Sequence, residues 1–296
     1  MFLPIHAAKP VVALPRTEGP LDTAMQRREM RELEVGTDQV RCHVEQRVAV
    51  VTLHRPEARN ALTLEIKEAL RRLIPALGDD PEVGCVLLTG AGGAFCAGGD
   101  TKVMAEGPPP EREPRVRMLR REHEVPAAIH RLAKPVIAAL PGPAAGAGFA
   151  LALACDLRIF AESAFVTTAY ARLGLSGDYG ASWFLTHLVG PAVARELMFT
   201  GARLDARDCL RLGIANRVVP DAELERASLA WAREIAAGPP VALRYMKENL
   251  NRALTEDLQS CLDGEAERMV AGAFTEDYVE AVKAFTEKRP PRFRGR

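Results

Sequence analysis

The sequence predicts an α/β fold on two observations. Short apolar runs typical of buried strands alternate with segments whose apolar residues recur at helical spacing. Two of the apolar runs lead directly into glycine-rich segments about fifty residues apart. The chain has 296 residues, 48% of them hydrophobic and 26% charged, which is enough to bury one large core. We therefore expect one main domain with an appendage.

The elements follow in order from these patterns. The first predicted core strand is the run at 48–53, and the apolar positions between Ile66 and Leu77 then recur at helical spacing. Further buried strands are predicted at 85–89, 136–140 and 157–160, with a helix of small apolar residues at 147–154. The later helical patterns lie at 192–200, 206–212, 222–237, 241–253, 258–270 and 278–285.

The N-terminal segment differs from the rest of the chain. Residues 1–36 contain four prolines and a charged run at 26–32, with too little apolar surface to pack as a unit. We predict that this segment is a flexible extension. The predicted core follows at 37–235, and a helical region occupies 236–296.

Charge, cysteine content and hydropathy limit the partners and the cellular environment that we expect for this protein. Lys and Arg total 39, as do Asp and Glu, so the zero net charge gives no electrostatic case for nucleic acid or an anionic membrane as partner. The six cysteines are scattered without a Cys-x-x-Cys pair, which favours a reducing, cytoplasmic environment. No apolar stretch is long enough to span a bilayer, and we expect neither a signal peptide nor an anchor.

The two glycine-rich segments, 94–100 and 141–148, predict a site for negative charge. Glycine and alanine leave main-chain N–H groups unobstructed, and the helix that starts after Gly146 has N–H groups without intrahelical partners. Two convergent N–H donors can stabilise an oxyanion that develops on a carbonyl. The chemistry that this pattern indicates passes through an enolate.

Six stretches carry a resemblance to a known family, in this order: 53–62, 94–100, 142–156, 201–206, 213–219 and 285–290. Together they make the chain resemble the crotonase (enoyl-CoA hydratase/isomerase) superfamily, from Thr37 to Arg296. The resemblance implies a spiral of ββα units, a C-terminal helical region that assembles trimers or dimers of trimers, and an acyl-CoA thioester as substrate. It implies no metal and no redox cofactor, since coenzyme A enters with the substrate.

The resemblance also assigns roles to residues in these motifs. The oxyanion donors would be the N–H groups of Gly99 and Ala147, the latter at a position where the family usually has glycine. Phe285 and Lys288 would complete the pocket from a neighbouring subunit. The remaining substrate-binding positions would be Ala58 and Arg59 along the nucleotide, Ala97 and Asp100 near the adenine, and Lys102 near phosphate.

The sequence departs from the hydratase pattern where that pattern has two glutamates. Those positions are Ala150 and Tyr170; a methyl group cannot orient water, and a phenol is a poor base at neutral pH. One acid, Asp178, lies in a turn where isomerase and dehalogenase branches of the superfamily carry a catalytic aspartate. The other interpretation of Asp178 is a cap for a helix that begins near Ala181.

The function favoured by these residues is an enoyl-CoA isomerase in which Asp178 is the single acid/base. The alternatives are a hydratase or hydrolase in which Asp178 orients water, and a non-catalytic CoA-binding protein. Two aromatic residues, Tyr170 and Trp183, either shape an acyl pocket or belong to the core. For Asp156 we expect a structural role, either pairing with Arg158 or capping a strand.

Overall fold

The computed structural model describes residues 30–100, 105, 107 and 111–296. The strands are β1 Arg31–Leu33, β2 Val40–Glu45, β3 Val48–Leu53, β4 Cys85–Gly90, β5 Val136–Leu140, β6 Ala144–Ala145, β7 Leu157–Ala161, β8 Phe165–Thr167, β9 Leu204–Asp205 and β10 Arg217–Val219. The helices are α1 Leu64–Asp79, α2 Arg112–Glu122, α3 Glu124–Arg131, α4 Ala147–Ala154, α5 Ala181–Thr200, α6 Ala206–Arg211, α7 Leu224–Ala236, α8 Pro240–Arg252, α9 Leu258–Ala273 and α10 Glu276–Glu287.

Seven strands form the main sheet, in the order β1-β2-β3-β4-β5-β7-β10, and β6, β8 and β9 form a second sheet. The pairs β1/β2 and β2/β3 are antiparallel, whereas β3, β4, β5, β7 and β10 run parallel to one another. Every residue of β5 is buried, as expected for a parallel strand covered on both faces. Helix α7 packs across β3, β4, β5 and β7. The predicted α/β architecture is confirmed.

The ordered sheet begins earlier than the sequence predicted. Strand β1, Arg31–Leu33, lies within the segment assigned to the flexible extension and pairs with β2. Its side chains are mostly exposed, so it has no apolar pattern, and backbone hydrogen bonds to β2 place it in the sheet. The rest of the predicted extension, residues 1–29, lies outside the described residues.

Helix α4 lies in the centre of the fold. All eight of its residues are buried, and it packs against α3 and α5. A short helix that is apolar on every side must be enclosed by other elements. Its N-terminus is therefore held in a fixed position, directly after β6.

The C-terminal helices are joined to this core by a buried ammonium group. Lys247 on α8 donates to the carbonyls of Ile129 and Lys134, at 3.1 and 3.2 Å, and to Asp156 Oδ2 at 2.8 Å. Asp156 Oδ2 also accepts from the N–H of Val136, the first residue of β5, at 2.7 Å, so of its two expected roles the capping of a strand is confirmed and the pairing with Arg158 is not. The Arg158 guanidinium donates instead to backbone carbonyls, including that of Ile214.

None of the helices within the described ranges combines the length and the apolar character that crossing a bilayer requires. The C-terminal helices do expose apolar side chains, among them Leu258 and Met269, each with 75% of its surface exposed.

Candidate active site

The two glycine-rich segments lie side by side, as the sequence predicted. Cys96 and Ala144 form a parallel bridge, and the N–H of Ala145 donates to the Cys96 carbonyl at 3.0 Å. On the other side, Gly99 bridges to Leu62. The segment 94–100 therefore lies between the loop before α1 and the start of α4.

Glycine is required where these backbones approach. A Cβ atom on Gly148 would overlap the Cys96 carbonyl oxygen and lie 2.7 Å from the Cys96 sulfur. Gly98 has a φ of +90°, and a Cβ there would lie 2.6 Å from the Ala145 carbonyl oxygen and 3.4 Å from the Ala147 nitrogen. Only residues without a side chain allow this spacing. The peptide preceding Gly99 is thus placed next to the first residue of α4.

The N–H groups of Gly99 and Ala147 are available to a ligand. Among the described residues, neither N–H group is a donor in the backbone hydrogen bonds that lie outside the helices and strands. Ala147 opens α4, so its N–H has no intrahelical acceptor and carries the partial positive charge of a helix N-terminus. Its φ is negative, so the methyl group is accommodated without strain. Two such donors can hold a carbonyl oxygen that gains negative charge.

The positions of the two hydratase glutamates contain no carboxylate. Ala150 is fully buried in α4, and Tyr170 is 5% exposed. Burial raises the pKa of Tyr170 well above its ordinary value, so its hydroxyl stays protonated and cannot serve as a base. That hydroxyl donates to the Asp178 carbonyl at 3.2 Å. Tyr170 also lies near the start of α4, because a Cβ on Gly146 would be 3.8 Å from its ring.

Asp178 lies in a turn with unusual backbone geometry. Gly177, Tyr179 and Gly180 all have positive φ, at 128°, 54° and 78°. A positive φ at a tyrosine is uncommon. The Asp178 carboxylate does not cap α5, which begins at Ala181 with Gly180 as its cap and no side-chain cap bond. The capping interpretation of this side chain was therefore wrong.

The carboxylate of Asp178 contacts an imidazole that the sequence analysis did not select. His123 Nε2 lies 2.5 Å from Asp178 Oδ1, and the Tyr179 N–H donates to the same oxygen at 2.9 Å. His123 lies between α2 and α3, 55 residues before Asp178. No spacing in the sequence links the two, because their contact depends on how α2 and α3 pack beside the turn at 177–180.

His123 also lines a pocket of about 530 Å³. Trp183 and Phe184, at the start of α5, form part of its wall, and their rings meet edge to face with centroids 5.1 Å apart. Tyr170 and Trp183 were expected either to shape an acyl pocket or to belong to the core. Tyr170 is buried, and Trp183 is half-buried at this pocket.

The residues expected along coenzyme A come from two linked loops. The Ala97 N–H donates to the Arg59 carbonyl at 2.9 Å, while Asp100 Oδ2 accepts from Arg55 Nη1 at 2.6 Å. Ala58 ends the short 3-10 helix that precedes Arg59. The contacts of these residues with a nucleotide stay predictions, and Lys102 lies outside the described residues.

A buried amide holds the first of these loops, and the sequence analysis missed its role. Asn60 is fully buried and its side chain accepts from the Arg55 N–H at 2.8 Å and donates to the carbonyls of Ala91 and Ala94. The Cys96 thiol donates to the Asn60 carbonyl, and burial raises the thiol pKa to about 12. This thiol therefore stays protonated and does not supply a nucleophile.

Phe285 and Lys288 lie at the end of α10. Phe285 has 87% of its surface exposed, and Lys288 ends the helix with a φ of 51°. Their expected contribution to a neighbouring subunit's pocket stays a prediction.

Comparison with known proteins identifies relatives of this chain. A family model described as enoyl-CoA hydratase/isomerase matches residues 43–296. The 1,2-epoxyphenylacetyl-CoA isomerase of Escherichia coli is 37% identical over 257 residues, covering 86% of this chain and 97% of that protein. The short-chain-enoyl-CoA hydratase of Clostridium acetobutylicum is 36% identical, covering 83% of this chain and 93% of that protein.

The fold is shared with solved structures. The crystal structure of an enoyl-CoA hydratase from Polaromonas sp. JS666 matches with a TM-score of 0.83 and 35% identity, covering 86% of this chain and 99% of that one. The crotonase fold and the helical C-terminal region expected from the resemblance are thereby confirmed. Family model, relatives and structure agree that the chain belongs to the enoyl-CoA hydratase/isomerase family.

Proposed function

We propose that this enzyme shifts a double bond in an enoyl-CoA. The observation that supports this reaction is the replacement of both hydratase glutamates, at Ala150 and Tyr170, beside a carboxylate, Asp178, in the turn that Tyr170 contacts. The relative from Escherichia coli is named as an isomerase of another acyl-CoA, 1,2-epoxyphenylacetyl-CoA.

The proposed reaction uses one base and two backbone donors. Asp178 removes a proton from C2 of the 3-enoyl chain, and the electron pair of that C–H bond forms an enolate with its negative charge on the thioester oxygen. The N–H groups of Gly99 and Ala147 stabilise that oxyanion. Asp178 then returns the proton to another carbon as the carbonyl re-forms. The product has the same atoms as the substrate, so the reaction consumes no water and no redox equivalent.

A comparison of two activities of the purified chain tests this proposal. We expect isomerisation of a 3-enoyl-CoA to be faster than hydration of crotonyl-CoA, because neither of the two hydratase glutamate positions contains a carboxylate. Hydration that is fast and survives Asp178→Asn would contradict the isomerase mechanism. It would leave a hydratase or hydrolase as the function, as the name of the Clostridium acetobutylicum relative suggests. Binding of CoA without turnover of any acyl-CoA in a broad panel would support a non-catalytic role.

We also propose that the chain works as a homotrimer or a dimer of trimers through its C-terminal helices. Helices α8, α9 and α10 enclose an apolar groove of about 630 Å³ and expose Phe274 and Phe285, at 88% and 87%. Apolar surface of this extent is typical of an interface. Light scattering should give three or six times the 32.2 kDa chain mass. A monomer at micromolar concentration would contradict this assembly.

A further inference from the structure

The two oxygens of the Asp178 carboxylate have different surroundings. Oδ1 is contacted by His123 Nε2 at 2.5 Å and receives the Tyr179 N–H at 2.9 Å. Among the described residues, no hydrogen bond to Oδ2 is found. Within the described ranges, the carboxylate is therefore held by one oxygen, and its other oxygen accepts no hydrogen bond.

We propose that His123 is a positioning residue that holds Oδ1 of Asp178 and so makes Oδ2 the acid/base oxygen. The proposal rests on the proposed function of Asp178. In this arrangement the imidazole carries a proton on Nε2 and donates it to the ionised carboxylate. Hydrogen bonds to an ionised acceptor are shorter and stronger than neutral ones. Two donors on one oxygen also prevent the carboxylate from rotating about its Cβ–Cγ bond.

His123 is itself well placed for this role. Its backbone N–H donates to the Leu119 carbonyl at 2.9 Å, which fixes it to the end of α2. Its ring packs edge to face on Tyr179, with centroids 5.9 Å apart. The neighbouring acid, Glu122, is paired with Lys67 at 2.7 Å and also faces Arg115. Among the described residues, His123 is the side chain that bonds the Asp178 carboxylate.

The pair lies at the edge of the protein interior, with 41% of the His123 side chain and 26% of the Asp178 side chain exposed. Water can therefore compete for Oδ1 when the imidazole is removed. A carboxylate that rotates freely spends less time with Oδ2 directed at the acyl chain. Misplacing a reacting group by about 1 Å can cost roughly 10²-fold in rate.

Three variants of the full chain test the role of the imidazole, assayed by isomerisation of a 3-enoyl-CoA. We expect His123→Ala to lower kcat by about 10²-fold with KM little changed, because a positioning residue acts on the proton transfer and not on substrate binding. His123→Gln should keep most of the activity, since its amide N–H reaches a position close to that of Nε2. His187→Ala is the matched control, because this exposed imidazole bonds the Trp183 carbonyl and not Asp178.

A double-variant cycle separates positioning from a general structural effect. In an Asp178→Asn background, His123→Ala should cause no further loss, because the two residues act through one carboxylate. Equal losses for His123→Ala and His123→Gln, additive losses in the cycle, or full activity of His123→Ala would each overturn the proposal. Full activity of Asp178→Asn alone would instead overturn the proposed function. The two failures are thereby distinguishable.

Discussion

Asp178→Asn is expected to lower kcat for 3-enoyl-CoA isomerisation by about 10²–10⁴-fold, the usual contribution of a general acid/base. Asparagine has nearly the same shape as aspartate but cannot accept and return a proton. The hydroxyl of Tyr170 cannot replace it, because burial holds the pKa of that phenol above its ordinary value. Steady-state kinetics with the thioester measure the loss.

The matched control for this change is Asp208→Asn. Asp208 lies on α6 and pairs with Arg211 at the surface, at 2.8 Å, so the variant removes an equal charge outside the site. We expect its turnover to equal that of the unmodified chain. Retained isomerisation in Asp178→Asn, with CoA binding unaltered, would contradict the assignment of the base.

Gly148→Ala is expected to lower kcat by about 10²–10³-fold, as the loss of one oxyanion donor does. The new methyl group would overlap the Cys96 carbonyl oxygen, which is main-chain and cannot rotate away. Helix α4 must then shift away from segment 94–100, and the neighbouring N–H of Ala147 shifts with it relative to Gly99. Overpacking of this kind also costs about 1–3 kcal/mol of folding free energy. Kinetics and urea denaturation measure the two effects separately.

Gly272→Ala on α9 provides the control for the glycine change. A Cβ there meets nothing within 4 Å in the chain. Because Gly272 lines the apolar groove of α8, α9 and α10, the mass of this variant is measured by light scattering alongside its stability. Helical alanine is favoured over glycine by about 0.5–1 kcal/mol, so this variant should be as stable as the parent or more so. If Gly148→Ala were as active as Gly272→Ala, the close approach of α4 to Cys96 would not be needed to place the oxyanion donors.

The sequence predicted the parts of the fold that depend on local pattern. The fully apolar run of β5 identified a buried strand, and the glycines near residues 98 and 148 identified two backbones in close approach. Strand β2 was not predicted, although its apolar and polar residues alternate as in a half-buried strand. Its position becomes clear only from its pairing with β3.

Residues of the candidate site that lie in sequence motifs were predicted, and residues that packing alone brings to the site were not. Gly99, Ala147 and Asp178 lie within recognisable motifs, and the structure brings Tyr170 between the start of α4 and the Asp178 turn. His123 could not be found in this way, because its contact spans 55 residues and involves no motif. The pairing of Asp156 with Lys247 could not be predicted for a related reason. Lys247 is 91 residues away on a helix whose packing the sequence does not specify.

The ammonium group of Lys247 has a consequence for how the chain unfolds. If α8 detached, Asp156 would lose its cationic partner, and the carbonyls of Ile129 and Lys134 would each lose a donor. Leaving buried polar groups unpaired is costly, so separation of the C-terminal helices is coupled to disruption beside β5 and α4. The C-terminal helices and the sheet are therefore expected to unfold as one cooperative unit.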